Sequence, residues 1–274
     1  MGLHKGKGLF SKKSSAKKKL KQIREEIIKE KGANSNHRPV VAIDVSVWEY
    51  KALNNPKSDS VVSSEYHAVP KVPVVSVSKA VVAKCKIYNK NGYDVILVLD
   101  GTKHPLKDEE HAIRDDSKAD STNLEDKLAD AYNNPDNYSV EDVNKIKKAL
   151  IKPREDITHE VIRAATENKY TVICAPFEAD SQFAALKNQN IIDLVDSIDT
   201  DILALGIKRV IQTVAKNGEV SIMEYKKLVE IVLPNEFGHP GTKINRRDLI
   251  FYVNMLGNDY LPKGKKGEGR VKSL

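Results

Sequence analysis

The sequence is poor in the residues that build metal-thiolate or disulfide scaffolds: 274 residues include only 2 cysteines, 3 methionines and 1 tryptophan. Cys85 and Cys174 lie inside apolar runs, with neither CxxC spacing nor a nearby histidine pair. That indicates neither a zinc site nor a disulfide framework, and a reducing compartment is the expectation. Long apolar runs are missing too. None approaches the roughly 20 residues needed to span a bilayer, and the lysine-rich N-terminus lacks the hydrophobic stretch of a secretory signal. A soluble protein without a membrane partner is expected.

What is present is charge. The chain is 40% hydrophobic and 30% charged, enough to bury one substantial core, so one domain with insertions is expected. The net charge of +7 is unevenly spread: residues 1–38 hold 12 Lys/Arg against 3 Asp/Glu, residues 263–272 hold 5 against 1, and residues 39–262 are at −6. Lys-rich ends suit phosphate backbones and an acidic middle suits bound cations; solvated tails on an ordinary surface give the same pattern.

Residues 1–37 read as a basic tail with a helix over 16–31, and the folded domain is expected to begin near His37. Val40–Asp44, Asp94–Asp100, Thr171–Ala175 and Ile192–Ile198 read as buried strands separated by helical stretches, which argues a parallel α/β sheet. Val74–Asn89 reads as one such helix, stopped by Gly92. Arg209–Val214 and Glu219–Tyr225 flank Lys216-Asn217-Gly218, a hairpin signal expected at the sheet's edge. Residues 102–152 are polar and helix-rich, and Ser139-Val-Glu-Asp142 resembles a capping box. This segment reads as an insertion projecting from the sheet, with a crossover helix returning from Pro153 onward.

Acidic residues recur where these strands end: Asp44, Asp100, the Glu178/Asp180 pair and the Asp199/Asp201 pair. In an open α/β sheet the carboxyl ends of the strands share one crevice, so these groups can converge despite their separation in sequence. Carboxylates packed that closely repel one another unless cations neutralise them. Two hard cations roughly 3.5–4 Å apart are what in-line phosphodiester hydrolysis uses. Singly, each acid has a structural explanation as a turn residue, a helix N-terminal charge or a cap. Glu178 and Asp180, at i and i+2, share no helix face, so they serve one site only if the chain there is still leaving the strand.

AIDVSVW at 42–48, LVLDG at 97–101, APFEADSQFAAL at 175–186, DTDILALG at 199–206 and MLGNDY at 255–260 resemble, in order, the metal-site blocks of the flap-endonuclease and XPG family of 5′ nucleases. The resemblance spans roughly residues 40–272. Trp48, the APFEAD form and GIKRVI at 206–211 are most similar to the exonuclease-one branch. The resemblance implies a PIN-like α/β fold: a mainly parallel central sheet flanked by helices, with a helical arch at 102–152 inside a nuclease domain at 38–262. Residues 263–274 would begin a helix-two-turn-helix, truncated at Leu274. It further implies that Asp100, Glu178 and Asp180 ligate one Mg²⁺, that Asp199, Asp201 and Asp259 serve a second, and that Asp44 acts through water, with Mn²⁺ able to substitute. Lys107 and Arg114 match the family's basic pair at the scissile phosphate, against the competing reading of two solvated helix charges. Tyr50 matches an aromatic that stacks on a base, against that of a core tyrosine. Gly267, Gly269, Arg270 and Lys272 match a phosphate-binding turn that also holds K⁺.

The implied partner is DNA with a 5′ flap, a nick or a free 5′ end, and the implied location in a eukaryote is nuclear. Three departures stand beside the resemblance. MGLHKGKGLF replaces the family's MGIxGL opening, residues 101–155 carry 10 basic against 13 acidic residues where the family's arch is positive, and the helix-two-turn-helix is cut short. They keep two alternatives open: a catalytically weak nucleic-acid-binding module, and an RNA-cutting nuclease of the PIN-like group.

Overall fold

The computed structural model describes residues 15–53, 74–102, 104–107, 123–150, 155–236 and 241–256. Its contacts divide the chain into two units, one comprising residues 1–45, 84–110 and 170–274 and the other 46–83 and 111–169.

The first unit is built on a seven-stranded mixed sheet in the order β1-β7-β6-β5-β2-β3-β4. The strands are β1 (Ser15–Lys19), β2 (Val40–Asp44), β3 (Asp94–Leu99), β4 (Thr171–Cys174), β5 (Leu194–Asp196), β6 (Arg209–Val214) and β7 (Glu219–Glu224). β6, β5, β2, β3 and β4 are successively parallel neighbours, while β7 runs antiparallel to both β6 and β1. Strands covered on both faces read as unbroken apolar runs, and β2 and β3 are of that kind, with Val41, Ala42, Ile43, Leu97 and Val98 at most 1% exposed. The hydrophobic core joins these strands to Phe183 and Leu186 of helix α7 (Ala179–Asn188) and to Leu249, Tyr252 and Val253 of helix α8 (Arg246–Leu256).

The β6–β7 hairpin forms as its turn residues predict. Gly218 adopts φ +75°, in the region that favours glycine, and its N–H donates to Ala215 O at 2.9 Å. The hairpin is not at the edge, however, because β1 pairs with β7 from Ser15↔Met223 to Lys19↔Glu219. The expected basic tail is corrected by the same observation. Residues 15–31 form β1 and helix α1 (Leu20–Lys31), whose Leu20, Ile23 and Ile27 are at most 2% exposed. Their i, i+3, i+7 spacing gives α1 one apolar stripe. Lysines are what an edge strand carries to discourage pairing with another chain, so the residues that read as a solvated tail belong to a protected edge. Lys18 is tied inward, 3.0 Å from both Glu26 and Glu224.

The strand expected at 192–198 shortens to Leu194–Asp196. Before it, the Asp193 carboxylate accepts the Val40 N–H at 2.9 Å; after it, Ile198 is 38% exposed as the chain leaves the sheet.

In the second unit the described elements are helical, and the longer ones are α2 (Val45–Leu53) from Ser46 onward, the first part of α3 (Val74–Lys90), α4 (123–133), α5 (Val140–Leu150) and α6 (Glu155–Glu167). The cap at Ser139 forms, its hydroxyl accepting the Asp142 N–H at 3.1 Å. Ile157, Val161 and Ala165 give α6 a buried stripe at i, i+4, i+8. Thr158 donates to Glu49 at 3.1 Å. The expected 102–152 insertion and the observed unit differ in extent, since residues 46–83 group with 111–169.

Candidate metal centre

Strand register decides where the acids emerge. Ile43 pairs with Asp196, Asp44 with Val98 and Leu99 with Cys174, so β5, β2, β3 and β4 deliver their carboxyl ends along one sheet edge. Asp44 closes β2, Asp100 follows β3, Glu178 and Asp180 follow β4, and Asp199 follows β5. This edge belongs wholly to the first unit.

The exits of β3 and β4 are bound to each other. Gly101 N–H donates to Phe177 O, and Thr102 donates to Pro176 O through its N–H at 3.2 Å and its hydroxyl at 2.8 Å. A Cβ on Gly101 would lie 1.9 Å from Ala175 O and 2.8 Å from Pro176 O, so only glycine admits this approach. Asp100 Oδ1 accepts the Ala179 N–H at 2.8 Å, satisfying one of the unpaired donors at the start of α7. Glu178, at the N-cap position, makes no side-chain cap bond and has extended backbone, φ −100° and ψ 151°. The i, i+2 pair therefore straddles the boundary, with Glu178 still extended and Asp180 already in the first helical turn. Glu178 Oε2 receives the ammonium of Lys107, which is 3% exposed at the end of the Pro105–Lys107 turn. A buried lysine needs such a partner, which sets aside the reading of Lys107 as a solvated charge.

A second cluster lies where β2 and β5 end. Ser197, fully buried, donates from Oγ to Asp44 Oδ2 at 2.9 Å and accepts the Asp199 N–H at 3.1 Å. Asp44 and Asp199 are 7% and 9% exposed.

The acids at this edge offer carboxylate oxygens, the chemistry that suits Mg²⁺ or Mn²⁺ rather than a softer metal, and one of them, Glu178, is already paired with the Lys107 ammonium. Among the described residues, no three His, Cys, Asp or Glu lie close enough to hold one ion. Of the seven expected ligands, the Asp201 side chain and all of Asp259 lie outside the described residues, as do Arg114, Gly267, Gly269, Arg270 and Lys272. Tyr50, on α2 in the second unit, is 54% exposed and is not a core residue.

Sequence reasoning missed four features of the edge. Ser197 carries no motif and its partner Asp44 is far away in sequence. Asp196, fully buried, accepts from Tyr88 OH at 2.5 Å inside the core; burial and this negative neighbour push the Tyr88 hydroxyl well above its ordinary value and raise the Cys85 thiol to about 12. His104 and the half-exposed Phe177 pack with ring centroids 4.8 Å apart; Phe177 stood inside the APFEAD block without a role. The close approach of Gly101 to the exit of β4 has no local signal. A cavity of about 120 Å³ lies at the opposite, amino end of β5 and β6. Four of its charged residues are paired with one another, Lys31 with Asp193 at 2.5 Å and Arg209 with Glu30.

Residues 169–259 match the XPG I-region. The chain is 26% identical over 227 residues to exodeoxyribonuclease 1 of Saccharomyces cerevisiae, covering 81% of this chain and 29% of the relative. It is 26% identical over 188 residues to flap endonuclease 1 of Sulfolobus acidocaldarius, covering 68% of this chain and 52% of the relative. The catalytic core of Rad2, solved in complex with a DNA substrate, superposes with a TM-score of 0.61 at 18% identity, over 98% of this chain and 66% of that one. The fold is the α/β 5′-nuclease fold of Rad2. The chain is thus similar to members of the XPG and flap-endonuclease family, and it spans 29% and 52% of the length of these two curated relatives.

Proposed function

We propose that this chain is a metal-dependent 5′ nuclease that hydrolyses phosphodiester bonds of DNA at a 5′ flap, a nick or a free 5′ end. The observation that carries the reading is the emergence of Asp44, Asp100, Glu178, Asp180 and Asp199 along one edge of four neighbouring parallel strands. Asp100, Glu178 and Asp180 are assigned to one ion and Asp199, Asp201 and Asp259 to the other, with Asp44 acting through water. Divalent cations held there would polarise the phosphate and favour deprotonation of an attacking water. The protein's own contribution is placement: Gly101 locks the β3 and β4 exits together, and Asp100 and Ser197 fix backbone N–H groups beside the acids. Arg114, Tyr50 and residues 267–272, the last with K⁺, are assigned to DNA contacts, and in a eukaryotic cell the corresponding location is nuclear.

The test is incubation of the chain with 5′-flap, nicked, blunt and single-stranded DNA and with RNA, in Mg²⁺, Mn²⁺ or EDTA. Cleavage of DNA with a free 5′ end, abolished by EDTA, is expected. Cutting confined to RNA would favour the PIN-like alternative, and binding without cutting in either metal would favour the binding module.

Lys107 faces two demands on one charge: Glu178 in the DNA-free chain and the scissile phosphate in the complex. Lys107→Ala is therefore expected to act in opposite directions on binding and chemistry. Single-turnover cleavage should fall by about 10²–10³-fold, as when one donor to developing charge is removed, while Mn²⁺ affinity without DNA should hold or improve because a competing cation is gone. Weaker Mn²⁺ binding together with normal cleavage would reverse the assignment.

A further inference from the structure

We infer that the Ser197 hydroxyl is a positioning group that holds the Asp44 and Asp199 segments in one arrangement for cation binding; this rests on the metal-centre reading above. A hydroxyl has one proton to give and lone pairs to receive, and Ser197 uses both. It gives its proton to Asp44 Oδ2 at 2.9 Å and receives the Asp199 N–H at 3.1 Å. The residue is itself anchored, its N–H donating to Ile211 O of β6 at 3.1 Å. The side chain is fully buried, so water does not compete for either bond.

The direction of the first bond matters. Because Ser197 donates, Asp44 accepts, and the bond fixes the plane of the carboxylate, leaving Oδ1 aimed by the same constraint. The second bond holds the backbone from which the Asp199 side chain springs. One hydroxyl thus orders groups that come from β2 and from the exit of β5, whose separation in sequence leaves them no local means of alignment. Groups that orient metal ligands typically change metal affinity by about 10–100-fold when removed.

The test compares the parent chain with Ser197→Ala, Ser197→Cys and Ser197→Thr, measuring Mn²⁺ binding without DNA from the electron paramagnetic resonance of the free ion. Circular dichroism in EDTA establishes which variants are folded. Ser197→Ala should weaken Mn²⁺ binding by about 10–100-fold, Ser197→Cys by an intermediate factor because a thiol is a weak donor, and Ser197→Thr, which keeps the hydroxyl, should restore it to within about 3-fold. The Mg²⁺ concentration for half-maximal cleavage should rise by the same factors. If Ser197→Ala does not fold, Ser197→Cys carries the comparison. A folded Ala or Cys variant that binds Mn²⁺ like the parent overturns the role of Ser197 and leaves the metal centre standing. A parent that binds no Mn²⁺ overturns the metal centre, and this inference with it.

Discussion

Asp100→Asn is expected to lower single-turnover cleavage of a 5′-flap substrate by about 10³-fold or more, some 4 kcal/mol of transition-state stabilisation, while leaving DNA affinity unchanged or slightly improved. The asparagine is chosen over alanine for a structural reason. Asp100 Oδ1 accepts the Ala179 N–H at 2.8 Å, and an amide oxygen preserves that bond while removing the charge. The cap on α7 survives, and so should the thermal midpoint. Affinity should not fall, because a negative charge that opposes the phosphate backbone has been removed. Near-normal turnover in the folded variant would place the chemistry away from this edge.

The other large effect concerns the N-terminal segment. Deleting residues 1–31 is expected to unfold the first unit or lower its urea midpoint severely. Leu20, Ile23 and Ile27 are essentially unexposed, and burial of three such side chains contributes roughly 5–9 kcal/mol, comparable to the entire stability of many domains at about 5–15 kcal/mol. The deletion also strips β7 of its β1 ladder and leaves Arg209, 7% exposed, without Glu26 and Glu30. Deleting only residues 1–14 removes no described element. It does remove 4 lysines, so any effect there should appear as a DNA affinity that is weaker across sequences and less salt-dependent, by up to about 0.9 in log-log slope per lost duplex contact. A 1–31 deletion with the parent's urea midpoint would show that β1 and α1 are dispensable to the fold.

That contrast marks what the sequence made legible. β2, β3 and β4 could be read because strands buried in a parallel sheet are apolar runs, and the acids could be read because each stands where such a run stops. β1 could not, because Ser-Ala-Lys-Lys-Lys is equally the composition of a solvated tail; only Met223 and Glu219 across the ladder distinguish the two. The hairpin was legible from Asn217-Gly218, but its position inside the sheet followed from β1 and was lost with it. At the site, Glu178 and Asp180 carried a geometric condition that Glu178 satisfies at the N-cap position, while Asp180 is already helical. Ser197 was illegible for a different reason: its chemistry lies in a pairing with Asp44 that exists only once β2 and β5 are neighbours. Lys107 was legible through its family resemblance, but its burial against Glu178 was not, since no local pattern brings the Pro105–Lys107 turn to the exit of β4.

The most direct measurement is the location of Mn²⁺ by anomalous diffraction from crystals of the chain soaked in the ion. The account predicts two peaks roughly 3.5–4 Å apart at the carboxyl ends of β2, β3, β4 and β5, one against Asp100 and Glu178 and the other against Asp199. No peak at that edge, or Mn²⁺ bound only at a different place such as the Glu30 and Asp193 cavity at the amino end of β5, would contradict it.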